Sequence, residues 1–333
     1  MKTYRKLLFL AANLAIGFGI VEGAARTLAP APLEWREHPA RLLRPDNERG
    51  WALRANADDW TVDKPSRINA DGFRDREFAT GRTRWTRRIV CVGDSYTYGW
   101  GVELDDSYPK QLERLLSGSR PTEALNMGVF GYNAAQARLT LEEQGLRYRP
   151  DIVIYSFYWD DLLPVRPGPV VVADDESIVK STLRHSRALF VTVSGARSLL
   201  AALSPSGSRF HRCWEALLHG DHASIRDLWE TEAREIQRMR DSAASVGAKL
   251  FVIVWPLEPQ VLGDVPTCRF EEEARQVCDS LGVPSVSLLE PLRDVARAGR
   301  SPYLPYEQHP TPEGYRRAVE TMARALREKG LVE

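Results

Sequence analysis

The 333-residue sequence predicts a three-layer α/β fold, in which helices cover both faces of a doubly wound, mostly parallel, five-stranded sheet. Two observations support this prediction. Short apolar runs recur along the chain, and each is apolar at successive positions, as strands inside a parallel sheet are. Longer segments with apolar residues three and four positions apart lie between these runs. Such alternation of strands and helices is typical of a parallel α/β sheet.

Four of the five predicted strands are short runs rich in β-branched residues, and the fifth, Ala124–Met127, is a shorter run. Such runs are too short for ordinary helices, which supports their interpretation as strands. In chain order they are Arg88–Val92, Ala124–Met127, Ile152–Ser156, Leu250–Val254 and Val283–Leu288.

The predicted helices have apolar residues at the helical spacing, and several begin after Ser, Thr, Asn or Asp, which favour a helix start. Because they alternate with the strands, they are expected to cover the two faces of the sheet. They are Pro109–Leu116, Ala134–Gly145, Ala223–Val246, Phe270–Leu281 and Pro312–Gly330.

Residues 1–26 are predicted to be a signal anchor or a cleaved signal peptide. Basic residues at positions 2, 5 and 6 precede the apolar run Leu7–Val21, which is the usual order in an export signal. Small residues at positions 23–25 leave cleavage open as the alternative. Because basic residues stay on the cytoplasmic side, the chain from residue 27 onward is predicted to lie outside the cytoplasm.

The remaining chain divides into three parts by composition. Residues 27–85 are rich in Pro, Arg and Trp without a sustained period, and are predicted to form a linker and an irregular lead-in. Residues 86–333 contain the α/β pattern. Clusters of Pro, Ser and Gly interrupt that pattern at about 163–220, around a modest helical segment at Ala188–Leu203. This stretch is predicted to be an insertion or lid.

Composition narrows the classes of function. Hydrophobic residues make up 43% and charged residues 27%, which excludes collagen-like and wholly disordered chains. Lys and Arg number 45, as do Asp and Glu, so no positive field attracts nucleic acid and no nucleic-acid partner is predicted. The four Cys residues are too scattered for a zinc pair, and no glycine-rich nucleotide loop occurs. We therefore predict neither a cofactor nor a metal ion.

The most informative motif follows the first predicted strand and reads Gly93-Asp94-Ser95. Ligands of open α/β sheets bind at the carboxyl ends of strands, and a serine on a tight turn there exposes its hydroxyl close to backbone N–H groups. Ser95 is therefore the candidate nucleophile.

Three further motifs follow in order along the chain: Asn126–Gly131, Tyr158–Asp161 and Glu307–Pro310. Together with Gly93-Asp94-Ser95, these blocks resemble the SGNH/GDSL hydrolase family, over roughly residues 85–330. The resemblance implies a flavodoxin-like sheet and an ester hydrolase. The apolar start and the segment Asn69–Arg74 also resemble a membrane-anchored bacterial subgroup. This subgroup implies attachment to the inner membrane with a periplasmic catalytic domain, or secretion if the signal is cleaved.

The resemblance implies a Ser-His-acid site. A serine hydroxyl needs a base to become nucleophilic, and neutral imidazole is suited to that task near neutral pH, so His309 is the predicted base. A carboxylate holds the imidazole in the productive tautomer, and Glu307 is the candidate for this role. The family's alternative spacing places Asp at position 306, which is Tyr306 in this chain.

The predicted oxyanion hole consists of Ser95, Gly131 and Asp160. The first two contribute backbone N–H groups. The family has Asn at the third position, and an ionised Asp160 would repel the oxyanion. Three alternatives remain open: Asp160 is protonated, another amide such as Asn133 replaces the donor, or catalysis is impaired.

The predicted function is a serine esterase that cleaves an acyl or O-acetyl ester through an acyl-enzyme on Ser95. The expected partners are an acyl-ester substrate, either a glycan or a lipid, and a membrane that binds the N-terminal segment. Two alternatives stay open: an O-acyltransferase that acts on a cell-surface glycan, and a non-catalytic binding module with the same fold.

Overall fold

The computed structural model describes most of the chain. The described residues are 2–28, 39–81, 85–118, 120–164, 186–189, 191–193, 209–263, 265, 267–305 and 308–333. Contacts divide the chain into two units, residues 1–35 with 174–206, and residues 36–173 with 207–333.

The first unit contains helix α1, Lys2–Leu28, whose described apolar side chains are exposed, among them Phe9 and Ile20. Within this unit the Glu22 carboxylate accepts hydrogen bonds from the Ser186 hydroxyl at 2.8 Å and from the backbone N–H of Ala188 at 2.9 Å. Hydrogen bonds from the Ala188 N–H group, the Arg26 guanidinium and the Arg187 N–H group together lower the pKa of Glu22 to about 2. A membrane-crossing helix is not found among the described residues, since none combines sufficient length with sufficient apolarity.

The predicted irregular lead-in contains two β-hairpins after a short helix. Each pair of strands is antiparallel. The elements are α2 (Pro39–Leu42), β1 (Leu43–Asp46), β2 (Gly50–Leu53), β3 (Asp58–Thr61) and β4 (Lys64–Arg67).

The hairpin segment packs on the main part of its own unit. Trp51 and Ile68 are buried in one cluster with Tyr98 and Phe130. The Trp51 indole N–H donates to the Phe130 carbonyl at 3.3 Å, and the Tyr132 hydroxyl donates to the Trp51 carbonyl at 2.6 Å. Residues before the sheet therefore form part of the wall beside the turn that carries Ser95.

The central sheet has five parallel strands in the order β6-β5-β7-β8-β9. All five coincide with the predicted runs, so the predicted fold class is confirmed. Three strands, β5, β7 and β8, are almost completely buried because helices cover both faces. The strands are β5 (Arg87–Gly93), β6 (Thr122–Gly128), β7 (Ile152–Phe157), β8 (Lys249–Val254) and β9 (Ser285–Ser287).

The helices lie on the two faces of this sheet. One group of contacting helices comprises α4 (Tyr108–Leu116), α8 (Glu258–Leu262), α10 (Leu289–Arg297) and α11 (Pro312–Glu328). Another comprises α5 (Ala134–Thr140), α7 (Arg226–Ser245) and α9 (Phe270–Ser280). The other helices are α3 (Ser95–Tyr98) and α6 (Arg209–His219). The five helices predicted for the faces of the sheet are present, and four others were not predicted (α3, α6, α8 and α10).

Most of the predicted insertion at 163–220 lies outside the described residues. The described part includes helical residues at 187–189 and 191–193, and helix α6 at its end. Most of the predicted helix at Ala188–Leu203 also lies outside the described residues. The insertion boundaries and the proposed lid stay predictions.

Two glycines allow α3 to lie directly on the ends of the strands. A Cβ atom at Gly93 would come within 2.5 Å of the Thr97 hydroxyl oxygen and 2.9 Å of the Ser156 Cβ. A Cβ atom at Gly128 would lie 2.2 Å from the Tyr98 backbone nitrogen. The close packing of backbone on backbone therefore requires glycine at the end of β6.

We predict that Gly128→Ala destabilises the protein by about 1–3 kcal/mol, because the new methyl group overlaps backbone atoms of α3 that cannot move aside cheaply. Gly118→Ala is the matched control, since a Cβ atom there has no neighbour within 4 Å. Urea unfolding of both variants measures the difference. Equal stabilities for the two variants would contradict the packing argument.

Candidate active site

Ser95 lies on the turn between β5 and α3, at the carboxyl edge of the sheet. The Asp94 carboxylate caps α3 by accepting the Tyr96 backbone N–H at 2.9 Å. The turn begins at Gly93, whose φ of +150° is rarely adopted by residues with side chains. Ser95 is half-buried while its neighbours Asp94 and Tyr96 are buried. Ser95 is therefore partly exposed on a turn whose neighbouring residues are buried.

The structure brings His309 to Ser95, although the two are 214 residues apart in sequence. The His309 Nε2 atom lies 2.8 Å from the Ser95 hydroxyl oxygen, which is hydrogen-bonding distance. The loop that carries His309 is closed at its base, where the Leu304 N–H donates to the His309 carbonyl at 2.9 Å and Tyr303 forms a bridge with Pro310. A serine and a histidine in this arrangement have the geometry of a nucleophile and its base.

The predicted acid, Glu307, lies outside the described residues, as does Tyr306. Its role as the third member of a Ser-His-acid site stays a prediction.

The second motif holds the end of β6 against the serine turn. The Asn126 side chain accepts the Gly128 N–H at 3.1 Å and donates to the Tyr98 carbonyl at 3.3 Å. Beyond it, Gly131 has a φ of +78°, which glycine adopts without strain. The chain thus turns sharply at the position predicted to supply an oxyanion donor.

The Asn133 amide is engaged elsewhere. Its oxygen accepts the Gln136 N–H at 3.2 Å at the start of α5, and its nitrogen donates to the Leu163 carbonyl at 2.8 Å. Both ends of the amide therefore have partners, which argues against Asn133 as a substitute oxyanion donor.

Asp160 is part of a cluster of three carboxyl groups. It lies on the 3₁₀ turn Trp159–Leu162, which follows β7. Oxygens of Asp94, Asp160 and Asp161 lie within 4.8 Å of one another, and in the described part of the chain no other His, Cys, Asp or Glu group is clustered in this way. Such close carboxyl groups resist simultaneous ionisation.

Burial is the main cause of the altered titration of this cluster. It raises the pKa of Asp94 well above its ordinary value, and the nearby Asp160 raises it further. The pKa of Asp161 is also raised well above its ordinary value, first by burial and then by Asp94 and Asp160. Protonated carboxyl groups are therefore favoured beside the serine turn.

A buried arginine, Arg74, holds the backbone that follows α3. The Arg74 guanidinium donates to the Gly99 carbonyl at 2.7 Å, the Val102 carbonyl at 2.8 Å and the Pro65 carbonyl at 3.0 Å. Sequence reasoning connected Asn69–Arg74 only with a subgroup and missed this structural role. The only sign in the sequence was an arginine that precedes the Gly93-Asp94-Ser95 motif, and nothing in the sequence shows that this arginine is fully buried.

Aromatic rings surround the His309 imidazole. The Tyr96 ring centroid lies 5.2 Å from that of His309, and the Trp100 centroid lies 6.1 Å from it. Trp100 also contacts Phe130, at 5.1 Å between ring centroids. Trp100 is half-buried, so an apolar wall borders the Ser95–His309 pair.

A family model described as the GDSL-like lipase/acylhydrolase family matches residues 91–317. No curated protein matches the chain. Among solved structures, TesA is 14% identical to this chain, with a TM-score of 0.47. The alignment covers 74% of this chain and 100% of TesA.

Two further solved structures are similar to this chain. A lipase/acylhydrolase from Enterococcus faecalis is 15% identical, with a TM-score of 0.43 and coverage of 74% of this chain and 97% of that one. An acetyl-xylooligosaccharide esterase from a Geobacillus species is 12% identical, with a TM-score of 0.43 and coverage of 72% and 94%. The family match spans the serine turn, all five strands of the sheet except the first residues of β5, and the histidine loop. The chain belongs to the GDSL-like lipase/acylhydrolase family.

Proposed function

We propose that the protein is a serine esterase that cleaves a carboxylic ester through an acyl-enzyme on Ser95. The observation that carries the proposal is the 2.8 Å contact between the Ser95 hydroxyl oxygen and His309 Nε2. Membership of a lipase/acylhydrolase family supports the same reaction class. The proposed substrate is an acyl ester of a glycan or a lipid.

In the proposed reaction, His309 Nε2 removes the hydroxyl proton as the Ser95 oxygen attacks the ester carbonyl carbon. The tetrahedral intermediate collapses when the bond to the leaving alcohol breaks, and the alcohol takes the proton from His309. Water then attacks the acyl-enzyme with His309 again acting as base. This step releases the carboxylic acid and restores Ser95.

The oxyanion requires donors that are already in place. We assign the backbone N–H groups of Ser95 and Gly131 to this role, with Asp160 as the third donor in its protonated form. The closeness of Asp94 and Asp161 supports a protonated Asp160, because ionised carboxyl groups this close together would repel one another.

We further propose that helix α1 attaches the protein to the cytoplasmic membrane, with the catalytic domain on the periplasmic side. The exposed apolar side chains of α1 support this proposal, because aqueous exposure of so many apolar groups is unfavourable.

The esterase proposal predicts that a fluorophosphonate labels Ser95 and that Ser95→Ala abolishes the label. His309→Ala is expected to slow 4-nitrophenyl acetate hydrolysis by roughly 10⁴- to 10⁶-fold, because the serine then lacks its base. Ser117→Ala and His219→Ala, at exposed sites, are the controls and should label normally. Peptide mass spectrometry locates the adduct. An unlabelled wild-type protein would favour the binding-module alternative.

The role of Asp160 predicts a pH effect. A protonated carboxyl group donates to the oxyanion, so kcat should fall as pH rises through the pKa of Asp160 and the group becomes negative. Asp160→Asn cannot ionise and should remove this fall. The kcat profiles of both proteins, measured from pH 5 to 10, test the assignment. Identical alkaline limbs would show that Asp160 is not the donor.

Attachment through α1 predicts that the full chain floats with vesicles of phosphatidylethanolamine and phosphatidylglycerol. Replacing Phe9, Ile16 and Ile20 by Asp should prevent flotation, because three charges would enter the apolar region. A control with Asp at Leu115, Val246 and Leu262 changes exposed apolar residues elsewhere and should still float. Flotation of both variants, or of neither, would reject the proposal.

A further inference from the structure

Two phenol groups bind the residue immediately before His309. The Tyr96 hydroxyl donates to the Gln308 main-chain carbonyl at 2.6 Å. The Tyr158 hydroxyl donates to the Gln308 side-chain oxygen, Oε1, at 2.9 Å. One exposed glutamine is thereby held at both its backbone and its side chain.

The two tyrosines come from the elements that form the rest of the site. Tyr96 follows the nucleophile Ser95 on α3, and Tyr158 precedes the turn that contains Asp160. Their rings pack together with centroids 4.5 Å apart, and the Tyr96 ring also flanks the His309 imidazole. Gln308 therefore connects the histidine loop to the ends of both β5 and β7.

Both phenols are fixed and remain donors. Tyr96 is 1% exposed and Tyr158 is 5% exposed, and the Tyr315 hydroxyl donates to the Tyr96 carbonyl at 3.0 Å. Burial raises the pKa of both phenols above their ordinary value, so they stay protonated at neutral pH. Hydrogen bonds from two buried donors restrict the positions that the exposed Gln308 can adopt.

From this geometry we infer that Tyr96, Tyr158 and Gln308 are positioning residues, which hold His309 Nε2 at hydrogen-bonding distance from Ser95. The inference rests on the proposed esterase function. A loop residue held only by its own backbone would sample positions in which Nε2 is too far from the hydroxyl, and displacement by about 1 Å can cost on the order of 100-fold in rate.

The test uses Tyr158→Phe, Gln308→Ala and the double variant in the full chain. Each single change removes the same hydrogen bond and leaves the Tyr96 bond to the Gln308 backbone. We expect kcat for 4-nitrophenyl acetate to fall by roughly 3- to 10-fold in each, with KM unchanged. The double variant should be no slower than either single variant, because both substitutions remove one shared interaction.

Tyr148→Phe is the matched control. Tyr148 is also buried, but it precedes β7, whereas Tyr158 follows that strand, and the Tyr148 hydroxyl donates to Asp71. This control should keep the wild-type kcat. Its melting temperature, compared with that of Tyr158→Phe, separates lost stability from lost positioning.

The outcomes separate the two proposals. If the wild-type protein labels at Ser95 but Tyr158→Phe and Gln308→Ala keep its kcat, the positioning role is wrong and the esterase function stands. Multiplicative losses in the double variant would also overturn it, since the two groups would then act independently. A wild-type protein that neither labels nor hydrolyses the ester overturns the esterase function and this inference with it.

Discussion

The close approach of α3 to the ends of β5 and β6 is the constraint on which the site depends. There is no room for a side chain at Gly93 or Gly128, so the serine turn lies directly on strand backbone. The Asn126 side chain then reaches the Tyr98 carbonyl, and the Val129 N–H reaches the Gly93 carbonyl at 3.1 Å. A wider spacing would break these bonds and move Ser95 away from the histidine loop.

Buried charge is distributed unevenly around this turn. On the side of β6, Lys110 forms a buried ion pair with Asp75 at 2.8 Å, and Arg74 holds the backbone that follows α3. On the side of β7, carboxyl groups predominate, and burial raises the pKa of Glu232 on α7 to about 8. Ser95 thus lies between the Arg74 guanidinium on one side and a group of carboxyl groups on the other.

The parts of this fold that could be predicted are those in which local sequence and burial agree. Strands β5 and β7 are apolar at successive positions because helices cover both faces, and the Gly93-Asp94-Ser95 turn directly follows β5. The hairpins of the lead-in could not be predicted, because strands such as Lys64–Arg67 are short, contain proline and lack an alternating pattern.

Other features of the site depend on distance in space, which a single sequence does not contain. Nothing adjacent in sequence links Gln308 with Tyr96 or Tyr158, and the burial of Arg74 follows only from the packing of the hairpins over the serine turn. Asp160 could be recognised as a departure from the family pattern. Asp161 is its neighbour in sequence, whereas Asp94 joins the pair only because β5 and β7 lie side by side.

The contacts that Arg74 makes with the serine turn determine which residues a shortened form of the protein must keep. The family match begins at residue 91, yet Arg74 and Trp51, which contact the serine turn and its neighbouring wall, precede it. At the other end, Arg87 pairs with Glu333, beyond the last matched residue. The packed unit is therefore larger than the segment that the family match covers. A fragment trimmed to the family boundaries would retain Ser95 and His309 and lose contacts that hold the serine turn in place.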